Sequence, residues 1–407
     1  MKKLSLTAWI FIALVVGVIS GLIFKGTFVI SVAVFVATLF TRMLGMLIVP
    51  LIFTSIVSGM FNVGGADKLG RLGGRTLLYY MSTSLIAILT GLVLVNIIQP
   101  GVGVDLGLKE TVKDVGGGAG SLIEVFIRMI PANVVDSAAK GQMLPVILFC
   151  VLLGFGITKL PRDHTRKVVE DFFSGGFKVM MTVTQLVLLF APIGIWGFMT
   201  KLMATTGFAA FKPLGLYALT VLAALFIHGF ITLPLGVVSL LAKKNPVTFA
   251  KHMGAALMTA FSTASSSATL PLTLRCIEQN AKVSNKISSF VLPLGATVNM
   301  DGTALYECVA VIFIAQAYGQ SLGFAQQMVI VVTALLASIG AAGIPMAGLV
   351  MMSIVLTAVG LPLEGVGLII AVDRILDMCR TTVNAWSDSC GALLIGTLEG
   401  EVGKADA

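Results

Sequence analysis

Long apolar runs decide what this chain can fold into. Residues 4–24, 28–61 and 77–98 are each long enough to cross ~30 Å of hydrocarbon as a helix. A transmembrane barrel would show weaker segments that alternate with period two, so the runs point to an all-α membrane protein. Composition agrees. Only 11% of residues are charged and 57% are hydrophobic, where a soluble domain carries about 25% charge.

The start, Met1-Lys2-Lys3 followed by an apolar run, has the look of a signal peptide. The run is too long, lacks a small-residue cleavage site before Lys25 and is followed by further membrane segments, so it reads as a first anchor helix. The net charge of +8 reports topology. With the N-terminus in the cytoplasm, 15 lysines and arginines fall inside and 5 outside, which follows the positive-inside rule. The expected location is a cell membrane crossed many times, both termini cytoplasmic. The basic balance gives no reason to expect a nucleic-acid partner. Five cysteines without a CxxC or Cys/His cluster read as packing residues.

The first half divides into apolar segments at about 4–24, 28–62, 74–99, 121–158 (interrupted by Pro131 and Pro145), 166–203 and 213–242. Residues 101–120 are polar and glycine-rich and read as an external loop. After Lys244 the texture changes. Residues 249–260 are half the length of a span, and 261–274 hold Ser262, Thr263, Ser265, Ser266, Ser267, Thr269 and Thr273 with Pro271. Two short arms around a serine-rich tip describe a re-entrant hairpin. Residues 334–350 repeat the idea with Ser338, Gly340, Gly343, Pro345 and Gly348. Small-residue helix packing is the bland alternative for either one. Non-helical backbone at membrane depth must line a cavity or be buried in protein, and two such segments in one half point to a transporter binding site.

The last stretch, 365–398, carries Asp373, Asp377, Arg380, Thr381, Asn384 and Asp388. Their spacing puts them on one helical face, opposite Ile370, Val372, Leu376 and Val383. A charge at bilayer depth costs at least ~2.5 kcal/mol, so this stripe faces a cavity, a ligand or its own members. Three acids against one arginine leave negative charge that wants cations; a structural ion-pair network is the alternative. Arg374 is assigned off this face. A second cluster runs Gly295-Ala296-Thr297-Val298-Asn299-Met300-Asp301-Gly302-Thr303, then Glu307. Asn299, Thr303 and Glu307 share a face, with Asp301 expected on the other side of a regular helix. Gly302 suggests unwinding that frees carbonyls, and the donors are hard oxygens suited to sodium. Glu307 sits on an otherwise apolar helix, where charging a carboxyl costs desolvation energy. It carries a proton during transport or stays a protonated, hydrogen-bonded acid. Tyr79, Tyr80, Ser82, Thr83 and Ser84 add a weaker hydroxyl cluster, which alone reads as bonding within its own helix.

These motifs resemble the dicarboxylate/amino acid:cation symporter family, which includes the excitatory amino acid transporters and archaeal aspartate transporters. The residues that carry the resemblance are Ser265-Ser266-Ser267-Ala268-Thr269-Leu270-Pro271, Asn299-Met300-Asp301-Gly302-Thr303, Ser338-Ile339-Gly340-Ala341-Ala342-Gly343-Ile344-Pro345 and Asp377-Met378-Cys379-Arg380-Thr381-Thr382-Val383-Asn384. The resemblance implies a homotrimeric elevator transporter with eight transmembrane helices and two re-entrant hairpins. Residues 1–73 and 101–211 would form the scaffold. Residues 74–100 and 212–398 would form the transport domain, with hairpin 1 at about 246–276, helix 7 at 286–318, hairpin 2 at 325–360 and helix 8 at 363–398. Residues 399–407 would be a cytoplasmic tail. It further implies a carrier, not an enzyme, with no cofactor beyond sodium as coupling ion and with a proton as a second one.

By position, Asp377 would hold the substrate ammonium and Arg380 its side-chain carboxylate, with Ser265, Ser266, Thr303, Ile344, Thr381 and Asn384 completing the site. Sodium positions would map to Gly295, Asn299, Asn384 and Asp388; to Thr297, Met300, Ser338, Ile339 and Ala341; and to Tyr80, Thr83, Ser84, Asn299 and Asp301. Glu307 matches a proton-carrying glutamate of the animal members. Two arginines of relatives are replaced here by Ala264 and Met378, and Ala385-Trp386-Ser387 replaces a turn that usually ends in glycine. Within the family the rivals are a neutral amino acid exchanger, which Arg380 opposes, and a C4-dicarboxylate symporter, which Asp377 opposes. An intramembrane serine protease would need a base beside Ser265–Ser267, for which His228 is the one deeply placed histidine.

Overall fold

The computed structural model describes residues 6–26, 28–64, 70–103, 127, 129–161, 163–339 and 347–403. Among these residues every regular element is a helix, and a single isolated bridge joins Val283 to Val402. Helices α1 (Leu6–Ile23) and α2 (Phe28–Gly64) pack with α5 (Met143–Lys159), α6 (His164–Leu188) and α7 (Ala191–Thr206). The segment expected as one broken helix at 121–158 is, where described, the short α4 (Val134–Ala139), a turn at Gly141, and α5. The single span expected at 166–203 is two helices bent by 49°. Pro192 in the first turn of α7 explains the stop, because it lacks the N–H that would continue α6.

Helix α3 (Gly70–Ile98) packs instead on the second half of the chain. There, α8 (Phe211–Phe226) continues as a π-helical segment, Ile227–Leu241, with Pro234 inside it. Helices α9 (Pro246–Thr263) and α10 (Ser266–Gln279) follow, then α11 (Asn285–Val298), α12 (Asp301–Ala317), α13 (Phe324–Ile339), α14 (Ala347–Ala358) and α15 (Val366–Leu398). α12 is buried along its whole length, from Asp301 to Ala317 except Gln316, so it is the central post of this half. α15 packs on α8–α12 and α14 and is itself largely buried, so Ile370, Leu376 and Val383 meet protein.

By length and composition Phe28–Phe61, Arg71–Ile98, Phe211–Leu241 and Asn285–Ala317 suffice to cross a membrane, with the bent pair as a fifth. α15, at 33 residues, is long enough but too polar to be counted with them, because of the residues that give the site its chemistry.

Candidate functional site

The polar stripe of α15 is a buried ion-pair cluster at its N-terminal end. Arg380 is fully buried. Its Nη2 donates to Asp377 Oδ1 at 2.9 Å, and its Nη1 lies 3.1 Å from Asp373 Oδ1. Tyr306 of α12 donates its hydroxyl to the same Asp373 oxygen at 2.7 Å and lays its ring under the guanidinium, 3.7 Å from the centroid. The other side is closed by Gly348 of α14, where a Cβ would come within 3.1 Å of Arg380 Nη1. The guanidinium therefore has a fixed plane and a fixed anchor. Arg374, assigned off this face from its sequence position, in fact donates to Asp377 Oδ2 at 3.3 Å. Three residues on a helix amount to about 300°, which leaves only ~60° between the two side chains, and an arginine spans that gap. The cluster thus has two guanidiniums.

A helix break builds the other end. Asn299 (φ −101°, ψ 84°) and Met300 (φ −115°, ψ 58°) leave the helical region between α11 and α12. The expected unwinding is present, and it turns Asp301 toward the partners of Asn299, contrary to the placement expected on a regular helix. Asp301 Oδ1 accepts from Ser84 at 2.6 Å and lies 3.4 Å from Thr83 Oγ1, which is also 3.4 Å from Asn299 Oδ1. Asp301 Oδ2 accepts from Ser387 at 2.6 Å and lies 3.0 Å from His228 Nε2. Asn299 donates through Nδ2 to Asp388 Oδ1 at 2.9 Å and to Ser387 Oγ at 3.0 Å. Gly295 lies where any Cβ would be 2.5 Å from Asp388 Oδ1 and 2.8 Å from Tyr80 Oη, so glycine is required for this approach. Among the described residues no lysine or arginine pairs with Asp301 or Asp388, and no group of three or more His, Cys, Asp or Glu could hold a metal ion. Carboxylate, amide and hydroxyl oxygens are the donors, a set that fits a hard cation.

Asn384 joins the two ends. Its Oδ1 accepts from Gly302 N at 2.8 Å and its Nδ2 donates to Thr303 Oγ1 at 3.0 Å. Gly302 permits this, since a Cβ there would meet the Arg380 carbonyl at 2.7 Å. Thr381 is buried one position after Arg380.

The serine-rich segment is a helical hairpin. α9 ends in the left-handed residue Ala264 (φ 50°), and α10 starts two residues later. Asn280, just past α10, donates to the carbonyl of His252 near the start of α9 at 2.9 Å, so the arms run antiparallel. Ser265 caps α10 by accepting from Ala268 N, and Ser266 is buried in the first turn. Both arms pack on α15. The arms span 18 and 14 residues, and threonines such as Thr259, Thr263 and Thr273 satisfy their hydroxyls by bonding back to their own helix. α13 and α14 also pack on each other. Ile344 and Ala341 lie outside the described residues. Ser338 bonds within its own helix to Leu335 O, Thr297 does the same to Leu294 O, and Met300 and Ile339 are buried.

Glu307 is fully buried on α12, and neither carboxyl oxygen has a hydrogen-bond partner among the described residues. His228 contacts Asp301 rather than the serines, so the histidine that the protease reading would use is engaged elsewhere. The sequence reading missed Tyr306, Gly348 and His228 as site members. Only Gly348 had a signal, in the glycine-rich texture of 334–350.

The model of the sodium:dicarboxylate symporter family matches residues 6–398. The chain is 37% identical to mouse excitatory amino acid transporter 3 over 95% of its own length and 84% of the relative's. It is 36% identical to a proton/sodium-glutamate symport protein of Geobacillus stearothermophilus, over 98% of the chain and 96% of the relative. Against the proton/glutamate-aspartate symporter of Escherichia coli K12 it is 34% identical, over 98% and 93%.

Proposed function

Because the chain belongs to the sodium:dicarboxylate symporter family, we propose that it is a sodium-coupled symporter of glutamate, aspartate or both, with Glu307 carrying a proton. The observation that carries the substrate assignment is the Arg380 guanidinium, fully buried and held flat between Tyr306 and Gly348 beside Asp377. A planar fork in that setting binds a carboxylate bidentately, and the neighbouring carboxylate takes an ammonium. A neutral side chain would offer nothing to draw Arg380 from Asp373 and Asp377, and a plain dicarboxylate would place its second charge against Asp377. Ser265, Ser266, Thr303, Ile344, Thr381 and Asn384 complete the site, and the N-terminus of α10 brings positive backbone dipoles to the anionic substrate.

Sodium enters as a second cargo. Gly295, Asn299, Asn384 and Asp388 form one position, and Tyr80, Thr83, Ser84, Asn299 and Asp301 another. Thr297, Met300, Ser338, Ile339 and Ala341 form a third at the second hairpin. Coupling follows from Asn384, whose Oδ1 accepts from Gly302 N, the residue after Asp301 of the cation end, and whose Nδ2 donates to Thr303 of the substrate end. A cation that fixes Asn384 and the Asn299–Asp301 break pre-forms the substrate side. In the proposed arrangement the chain is a homotrimer with eight membrane helices and two hairpins in a cell membrane, both termini cytoplasmic. α1, α2 and α4–α7 form the scaffold, and α3 with α8–α15 forms the moving body.

The test is uptake by proteoliposomes offered aspartate, glutamate, serine and succinate, with sodium and pH varied separately. Sodium-dependent, acid-stimulated uptake of the acidic amino acids is expected, and sodium-independent uptake sinks the assignment. Arg380→Thr should cut aspartate uptake by about 100-fold or more, since it leaves a buried carboxylate unpaired, and should raise serine uptake.

A further inference from the structure

α15 places two guanidiniums on one carboxylate. Arg380 Nη2 is 2.9 Å from Asp377 Oδ1, and Arg374 Nη1 is 3.3 Å from Asp377 Oδ2. Arg380 also reaches Asp373 at 3.1 Å. Two carboxylates and two guanidiniums form a set with no net charge, and each side chain is at most 10% exposed.

An arriving acidic amino acid rearranges this set. On the substrate reading above, its ammonium takes Asp377 and its side-chain carboxylate takes Arg380, so Arg374 has to let Asp377 go. The two arginines are held very differently. Arg380 is clamped by Tyr306, Gly348 and two carboxylates. Arg374 makes one longer contact, and its Nε has no hydrogen-bond partner among the described residues.

We propose that Arg374 is a tethered counter-cation that occupies Asp377 in the empty carrier, in place of the substrate ammonium, and swings off when substrate binds. The inference rests on the substrate reading. Its consequence concerns the return step. With Arg374 in place the empty substrate end crosses the membrane neutral. Without it, the one guanidinium of Arg380 is set against the two carboxylates of Asp373 and Asp377, and the negative charge left over must be carried through a low-dielectric interior. In the loaded carrier the substrate's ammonium replaces Arg374 at Asp377, and the substrate's own net negative charge is met by the cotransported cations.

The experiment compares two fluxes of the full-length protein in proteoliposomes. Net uptake into vesicles without internal substrate requires the empty return. Exchange of external labelled aspartate for internal aspartate does not. Arg374→Gln should lower the ratio of net uptake to exchange by about tenfold or more, and Arg374→Lys should restore most of it. An unchanged ratio in Arg374→Gln overturns the proposal. Should that variant fail to fold, the wild type decides. A built-in cation makes net uptake indifferent to internal potassium, so loss of net uptake when internal potassium is replaced by choline also overturns it. Absence of any sodium-dependent exchange in the wild type would refute the substrate reading itself.

Discussion

At residues 373–380 of α15 buried carboxylates meet guanidiniums, whereas at residues 384–388, about a turn further along, the carboxylates in reach meet an amide, hydroxyls and one imidazole. The first region is balanced by its own residues, so in the proposed reading a ligand enters it by displacing an internal partner. The second has no internal lysine or arginine among the described residues, which is why it is the end proposed to take a cation from outside. The lesson is that net charge along a helix does not say which half binds which ligand; the fixed cations do.

The comparison breaks most severely at Gly295. A methyl group there would sit 2.5 Å from Asp388 Oδ1 and 2.8 Å from Tyr80 Oη. Overpacking of that kind costs about 1–3 kcal/mol. Gly295→Ala should therefore weaken sodium binding by about 5–150-fold, measured as the sodium dependence of thermal stability without substrate, while an Arg380–Asp377 pair left in place keeps the substrate end intact. Equal damage to sodium and aspartate binding at saturating concentrations of the other would show that the two ends are one site.

This division was only partly legible in the sequence. The stripe was, because a 3.6-residue period separates six polar residues from apolar neighbours. The break at Asn299–Met300 was also legible, through Gly302 and the polar run. Arg374 was misplaced because face assignments treat side chains as radial vectors, whereas arginine reaches sideways by most of a helical turn. Asp301 was misplaced because the break that Gly302 signalled also resets the helical phase. His228 stands 73 residues before Asp301 in the chain, and no period or motif links them; only the packing of the π-helical segment on α15 does. Ser387 could be flagged as a departure, but its role between Asp301 and Asn299 needed coordinates.

Ser387 gives a smaller, sharper test. Its hydroxyl donates to Asp301 and accepts from Asn299, so it links the two proposed cation positions. Ser387→Ala removes both bonds, yet Asp301 Oδ2 keeps His228 and Asn299 keeps Asp388. The expected loss is about 1 kcal/mol, roughly fivefold in sodium affinity. A shallower sodium dependence of aspartate uptake is expected with it, because the positions no longer report to each other. An unaltered steepness would mean that the hydroxyl only fills space.

Beyond Leu398 the carboxylates pair with solvent-exposed arginine and lysine side chains, and such pairs are worth less. Glu399 accepts from Arg71 at 2.9 Å and from Arg75 at 2.6 Å, which ties the tail to α3, while Lys286 pairs with Glu401. Hydrogen bonding to Arg71, with the charges of Arg71 and Arg75, holds the Glu399 carboxyl below its usual range. A carboxyl lowered on folding contributes stability above its unfolded value and loses it as pH falls through the folded one. The tail contact is therefore fully present at neutral pH and fades only in the acid range. Glu399→Gln should shift unfolding stability at neutral pH by no more than about 1 kcal/mol, and the difference from wild type should shrink with acid and with salt. A larger, salt-insensitive effect would mean that this pair is sealed from water as the Arg380 cluster is, and the contrast between buried and solvated charge along α15 would not hold.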